Sequence, residues 1–274
     1  MAGYSDWIGR GSVRRDRLSA RLIDQFRATL PDLLAEMDVP LGLFWALSPD
    51  ALPLADLGRD GHARLGITLP ALPLPRRMWA GGEVRFLSPF HLEDEVDRDS
   101  RIERIEEKAG STGALIFISV RNDYSVAGRT CISERQDLVY RADPVPGEAP
   151  PAYPPAPDLG PPVAALPLVS DPVRLFRFSA MTFNGHRIHY DADYARQVEG
   201  YAGLVVHGPL QAVAMMNLAA RVMGHAPQVF SYRGLSPLIV GQRADVQAHR
   251  DGDALALRVV RDGGHVTMSG RATG

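Results

Sequence analysis

Apolar residues recur along this chain with two different periods. From Leu18 to Leu34 they fall at Leu22, Ile23, Phe26 and Leu30, the spacing of one helical face, which predicts a helix there. Short runs rich in β-branched residues follow, and these predict strands at 82–87, 96–106, 113–121 and 131–140. The strongest run, Gly113 to Val120, is almost entirely apolar. The pattern then starts again. A strand is expected over Val173 to Ala180, a helix over Pro209 to Met223, and strands at 228–235, 243–250, 254–261 and 265–272. The helix at 209–223 is apolar on nearly every side, so it is expected to be buried. Pro209 suits a first-turn position, and Gly224 with Pro227 closes the helix. A buried helix wrapped by an antiparallel sheet satisfies these elements together.

Between the two series lies a compositional break. Eleven of the 22 prolines fall between Pro144 and Pro172. Proline lacks the N–H of a sheet interior and breaks helices, so the stretch predicts an extended linker. The expected organisation is an N-terminal unit at 1–143, a linker at 144–170 and a C-terminal unit at 171–274. The units share a short echo. Arg85-Phe86-Leu87-Ser88-Pro89-Phe90 and Arg233-Gly234-Leu235-Ser236-Pro237-Leu238 both follow Arg-x-Leu-Ser-Pro-apolar, which suggests an internal duplication.

Composition narrows the function classes. With 45% hydrophobic residues, the 274-residue chain can bury a sizeable core. A net charge of −2 argues against general nucleic-acid binding, which needs a basic face. The single cysteine, Cys131, excludes an intramolecular disulfide and a cysteine-rich metal site. No stretch suggests a signal peptide or a membrane span, so the expected location is the cytoplasm.

The chemistry concentrates in Phe178-Ser179-Ala180-Met181-Thr182-Phe183-Asn184-Gly185-His186-Arg187-Ile188-His189-Tyr190-Asp191. His207-Gly208-Pro209 follows at the mouth of the buried helix. The first N–H groups of a helix have no internal partner and carry its positive dipole end, so a carbonyl aimed at them has developing negative charge stabilised. His186 and His189 form a His-x-x-His pair, but they lack the i, i+4 helical spacing of a metal motif and no cysteine is near, so no metal is expected. Trp45 and Trp79 are expected in the core.

This stretch resembles the hydratase-2 motif of MaoC-like enoyl-CoA hydratases, Asp-x-Asn-Pro-aliphatic-His with a His-Gly pair about eighteen residues later. More closely, it resembles the subgroup of mesaconyl-C4-CoA and itaconyl-CoA hydratases and type-2 hydroxyacyl-thioester dehydratases. Asp60-Gly61-His62 and Pro75-Arg76-Arg77-Met78-Trp79-Ala80-Gly81-Gly82 extend that likeness into the N-terminal unit. The resemblance implies an α+β double hotdog, two antiparallel sheets each wrapping a central helix, with the catalytic motif lost from the first unit. It implies catalytic roles for His189 and for the backbone N–H of Gly208, and no cofactor, since coenzyme A is part of the substrate. Asn184 stands where the family has aspartate and Arg187 where it has proline.

The resulting expectation is a hydro-lyase acting on an enoyl-CoA, with a branched dicarboxylic acyl group such as itaconyl or mesaconyl. His189 is the acid–base, since an imidazole can take a proton from water and return it. Asn184 has no titratable proton and is expected to position water, with Asp191 as the fallback carboxylate. Arg187, Arg233 and His207 are expected to contact the substrate, the arginines through anionic groups. The alternatives are a 3-hydroxyacyl-thioester dehydratase of fatty-acid synthesis, a hotdog thioesterase and a non-catalytic acyl-thioester binder. A homodimer is a further possibility.

Overall fold

The computed structural model of the chain describes residues 3–110, 113–145, 153 and 155–274. Its strands form one ten-stranded antiparallel sheet among the described residues. The first unit contributes β1 (Gly11–Arg17), β2 (Arg76–Phe86), β3 (Glu95–Gly110), β4 (Gly113–Val126) and β5 (Arg129–Arg141). The second contributes β6 (Ala164–Pro167), β7 (Val229–Gly234), β8 (Ala244–Asp251), β9 (Ala254–Arg261) and β10 (His265–Thr273). The strand order is β1-β3-β4-β5-β2-β7-β10-β9-β8-β6. Outward from the β2–β7 seam, β5, β4, β3 and β1 answer β10, β9, β8 and β6. This is the arrangement expected of two hotdog units, joined edge to edge by antiparallel pairing from Gly81↔Arg233 to Arg85↔Val229.

The sequence echo has a structural counterpart. Its two copies end β2 and β7. In the first, the N–H groups of Leu87 and Ser88 both donate to the Cys131 carbonyl, at 2.8 and 3.1 Å. In the second, those of Leu235 and Ser236 both donate to the Thr267 carbonyl, at 2.9 and 3.2 Å. The same residues make the same turn against the same neighbouring strand of each unit.

The units differ in what the sheet wraps. In the second, α4 (Gly208–Met223) runs through the core, and every residue from Leu210 to Ala220 is buried. Gly224, at φ 78°, ends it by donating to the Ala220 carbonyl. In the first, α1 (Ala20–Thr29) is shorter than the 18–34 expectation and lies against α2 (Pro172–Thr182) of the other unit. A single 3₁₀ turn, Leu43–Ala46, places Phe44 against Phe86 and Tyr124 instead. Buried Asn217 of α4 accepts from Ala35 N–H at 3.0 Å and donates to the Leu41 carbonyl at 3.1 Å, which fastens the two units together.

Two expectations need correction. Val173 to Ala180 is not a strand but most of α2. Asp171 caps the helix by accepting from the N–H groups of Val173 and Arg174, and Pro172 occupies its first turn. The proline-rich stretch is also not all linker. Its residues 164–167 form β6 at the sheet's edge, paired with β8, where an absent N–H costs nothing. Residues 146–152 and 154 of that stretch lie outside the described residues. Among the described residues, no helix is long and apolar enough to cross a membrane.

Candidate active site

The motif loop is set up by the end of α2. Phe183 adopts a left-handed conformation (φ 51°), and Asn184 N–H donates back to the Ser179 carbonyl at 2.9 Å. Asn184 Oδ1 accepts from His186 N–H at 3.0 Å, which closes an Asx turn. A 3₁₀ turn, Arg187–His189, follows, and Asp191 then caps α3 (Ala192–Gln197) by accepting from Tyr194 N–H at 2.9 Å. A loop of the first unit docks onto this one. The Asp60 carbonyl accepts from Arg187 N–H at 2.8 Å. Gly61, at φ 87°, comes so close that a Cβ there would lie 1.9 Å from the Gly185 carbonyl oxygen, so only glycine fits.

His189 is buried and held from two sides. Its Nδ1 donates to the Val205 carbonyl at 2.7 Å, which leaves the Nε2 lone pair free. Its ring stacks on that of His207, with centroids 3.6 Å apart. His207 is itself anchored, with Nε2 2.8 Å from Ser179 Oγ. Burial holds His189 well below the usual imidazole range, with the neighbouring His207 and His186 adding to the effect. Burial likewise lowers His207 to about 3. Both rings are therefore neutral near pH 7.

Gly208 opens α4, and its N–H has no acceptor among the described residues, as expected of a first-turn donor. A Cβ here would lie 2.5 Å from Trp79 Cε3, so the missing side chain lets that ring cover the helix mouth. His189, Gly208 and Asn184 line one groove of about 2510 Å³, together with His62, Arg77 and Trp79. That volume accommodates a ligand larger than an ordinary metabolite.

The remaining expected residues sit elsewhere. Arg187 does not line the groove. Its guanidinium bonds Asp191 Oδ2 at 2.7 Å and the Arg59 carbonyl at 3.1 Å, and it lies over the Tyr194 ring. Asp191 is spent on that pair and on the α3 cap. Arg233 is exposed on β7, on the sheet face opposite buried Tyr232, because neighbouring strand residues point to opposite faces. His207 is fully buried and acts as the platform beneath His189 rather than as a wall of the groove.

A second set of groups, named in the sequence without their contacts, lies beside His189. His62 Nδ1 lies 2.9 Å from Asp60 Oδ2. Its ring centroid is 4.3 Å from that of His186, which is 5.4 Å from that of His189. His186 Nε2 donates to Glu199 Oε1 at 3.1 Å, and Glu199 Oε2 accepts from Arg76 Nε of β2 at 3.1 Å. Burial, with the charge of Arg77, lowers His62 to about 3 despite its bond to Asp60. Burial alone would raise the Asp60 carboxyl, but the hydrogen bond and charge of His62 hold it below the carboxylate range. Ligand atoms of Asp60, His62 and His186 lie within 4.8 Å of one another, the nearest approach to a metal-binding set among the described residues. In this structure Asp60 and His186 instead bond to His62 and Glu199. The sequence showed the Asp60-Gly61-His62 string, His186 and Arg76 separately, while Glu199, which joins His186 to Arg76, carried no signal.

The fold defines the class first. A Mycobacterium tuberculosis protein described as having a double hotdog fold superposes with a TM-score of 0.56 at 16% identity, over 98% of this chain and 97% of that one. A MaoC-like dehydratase from Phytophthora capsici superposes at 0.70 and 12% identity, over 99% and 98%. The chain belongs to the hydroxyacyl-thioester dehydratase type 2 family, whose profile matches residues 43–240, and it is thereby a hydro-lyase. Mesaconyl-C4-CoA hydratase of Chloroflexus aurantiacus is 38% identical to it over 98% of this chain and 96% of that protein.

Proposed function

We propose that the chain adds water to, or removes it from, an enoyl-CoA, with His189 as acid–base and the Gly208 N–H as oxyanion donor. The observation that carries the reading is that the free imidazole edge of His189 and the unpaired N–H of Gly208 line the same groove. In hydration, one O–H bond of water breaks and its proton passes to His189 Nε2. The oxygen bonds to the β carbon, and the displaced π pair moves onto the thioester oxygen, opposite the Gly208 N–H. The imidazolium then gives its proton to the α carbon. The depressed proton affinity of His189 favours that return. Asn184 serves by position. Its carbonyl oxygen accepts from His186 N–H and so shapes the turn that presents His186 and His189.

The proposed acyl group is a dicarboxylic one such as mesaconyl or itaconyl. The likeness to a mesaconyl-C4-CoA hydratase supports it. So does Arg77, a groove guanidinium with no hydrogen bond or ion pair among the described residues and thus open to a substrate carboxylate. The test follows the ultraviolet band of the conjugated thioester on crotonyl-CoA, mesaconyl-C4-CoA and itaconyl-CoA. His189→Ala lowers kcat at least about a hundredfold. Near-wild-type turnover in that variant, or release of free thiol in place of loss of the band, overturns the reading.

A further inference from the structure

We infer that His62, carried by the first unit and anchored by Asp60, is the second hydrogen-bond acceptor for the water that His189 deprotonates. The inference rests on the role proposed for His189. A water molecule that must attack one carbon along one direction has two O–H bonds to direct. One points at the base, and the other needs an acceptor if the oxygen lone pair is to face the β carbon. In the motif that this loop resembles, an aspartate is available beside the histidine. Here that position is Asn184, whose carbonyl oxygen accepts from His186 N–H at 3.0 Å and whose amide nitrogen can only donate.

Two imidazoles line the groove beside that of His189. His186 spends Nε2 on Glu199 and keeps Nδ1 on the side of its ring nearest its own main chain. His62 differs. Its Nδ1 faces Asp60 Oδ2 at 2.9 Å, and because a carboxylate only accepts, the proton sits on Nδ1 and the lone pair on Nε2. Nε2 has no partner among the described residues. The side chain keeps 19% of its surface open, and it lines the same groove as His189. The ring of His186 neighbours both, with centroids 4.3 Å from that of His62 and 5.4 Å from that of His189.

The loop that carries His62 is fixed to the motif loop by the bond from Arg187 N–H to the Asp60 carbonyl, at 2.8 Å, and by the close approach of Gly61 to Gly185. The two imidazoles are thus held by one rigid contact between units. No extra proton enters the balance. The water proton still passes to His189 and on to the α carbon, while the second hydrogen stays on the new hydroxyl and is released from His62 with the product.

The experiment measures kcat and KM for hydration of crotonyl-CoA and mesaconyl-C4-CoA by the full chain. His62→Ala is expected to lose about a hundredfold in kcat with KM held within about threefold, and imidazole in the buffer restores at least about tenfold. Asp60→Asn, which removes the anion that fixes the tautomer, loses about tenfold in kcat with little change in KM. A merely structural role would raise KM, lower Tm and give no rescue by imidazole. If His62→Ala fails to fold by circular dichroism, His62→Phe fills the ring's space without an acceptor and is measured in its place, with the same loss expected. A folded His62 variant with kcat within about threefold of wild type, or a folded His62→Ala that imidazole does not restore, overturns the inference. When His62 variants stay active while His189→Ala is dead, only this inference fails. When His189→Ala is active, the underlying reading fails.

Discussion

Gly208→Ala is the most direct probe of the helix mouth. The new Cβ would sit 2.5 Å from Cε3 and 3.2 Å from Cζ3 of Trp79, and 3.5 Å from Met268 Cε. Carbon atoms rest about 3.5–4.0 Å apart, so the ring or the helix start must yield by about 1 Å. Trp79 cannot swing away freely. It stacks on Tyr232 with centroids 4.4 Å apart and meets the edge of Trp45 at 5.6 Å. The displacement therefore falls largely on the 208 amide, the proposed partner of the thioester oxygen. A misplacement of about 1 Å at a reacting centre costs about a hundredfold in rate. Overpacking a tight site costs about 1–3 kcal/mol of stability. The expected variant folds with a lower Tm, binds substrate nearly normally and loses about a hundredfold in kcat, read from the fading enoyl-thioester band. Adding Trp79→Leu removes the clash and is expected to recover at least about tenfold relative to the additive baseline of the single variants. A Gly208→Ala enzyme with kcat within about threefold of wild type would refute both the clash and the oxyanion role.

Two further outcomes follow from the same geometry. Because His62 and His207 are held at about 3, below their ordinary 6.5, the unfolded chain binds more protons below pH 6.5. Stability is complete above that pH and falls toward pH 3 by about 1.4 kcal/mol per histidine per unit, so urea unfolding at pH 7 and pH 5.5 must differ, and equal stabilities would contradict their burial as neutral rings. Arg77→Gln is expected to lower kcat/KM for mesaconyl-C4-CoA at least about tenfold and to leave crotonyl-CoA hydration within about twofold. Equal losses on both substrates would assign Arg77 to the coenzyme-A part instead.

What the sequence disclosed follows from where each signal is stored. The β4, β5, β8, β9 and β10 strands were legible because each has one or both faces buried, and the α4 helix because nearly all of it is. The β1 strand was invisible because its seven residues, GSVRRDR, carry one exposed apolar side chain. It is fixed by backbone pairing with β3, and Arg15 bonds Asp97 at 2.7 Å across that pair. The α2 helix was misjudged because Val173, Leu175 and the phenylalanines around them mimic a strand. The Asp171-Pro172 start decides otherwise, and Leu175 and Phe178 are buried at the helical i, i+3 spacing. His189 and Gly208 were singled out by the family resemblance of the motif loop and the His207-Gly208 pair, and both line one groove. His62 was not, since His186, against which its ring lies, belongs to the other unit. Arg187 and Arg233 were chosen for their charge, and charge alone does not say which way a side chain points.

The two units contribute different parts of the groove. The second carries His189 and Gly208, the proposed reacting groups, on one loop and one helix mouth. The first has a single buried turn beneath its sheet, and its residues have become walls. Buried Glu134 accepts from Trp45 Nε1–H at 2.6 Å, from Gln136 at 2.8 Å and from Asn122 at 3.0 Å. Burial raises its carboxyl, and those three bonds oppose the rise. They also fix Trp45, whose ring meets Trp79, whose ring in turn covers Gly208. On the other flank, the loop carrying Asp60 and His62 is bonded to the motif loop. The first unit thus flanks the groove on both sides. Separating the units at the β2–β7 seam would leave the second with its imidazole but without the surfaces that hold water and thioester against it.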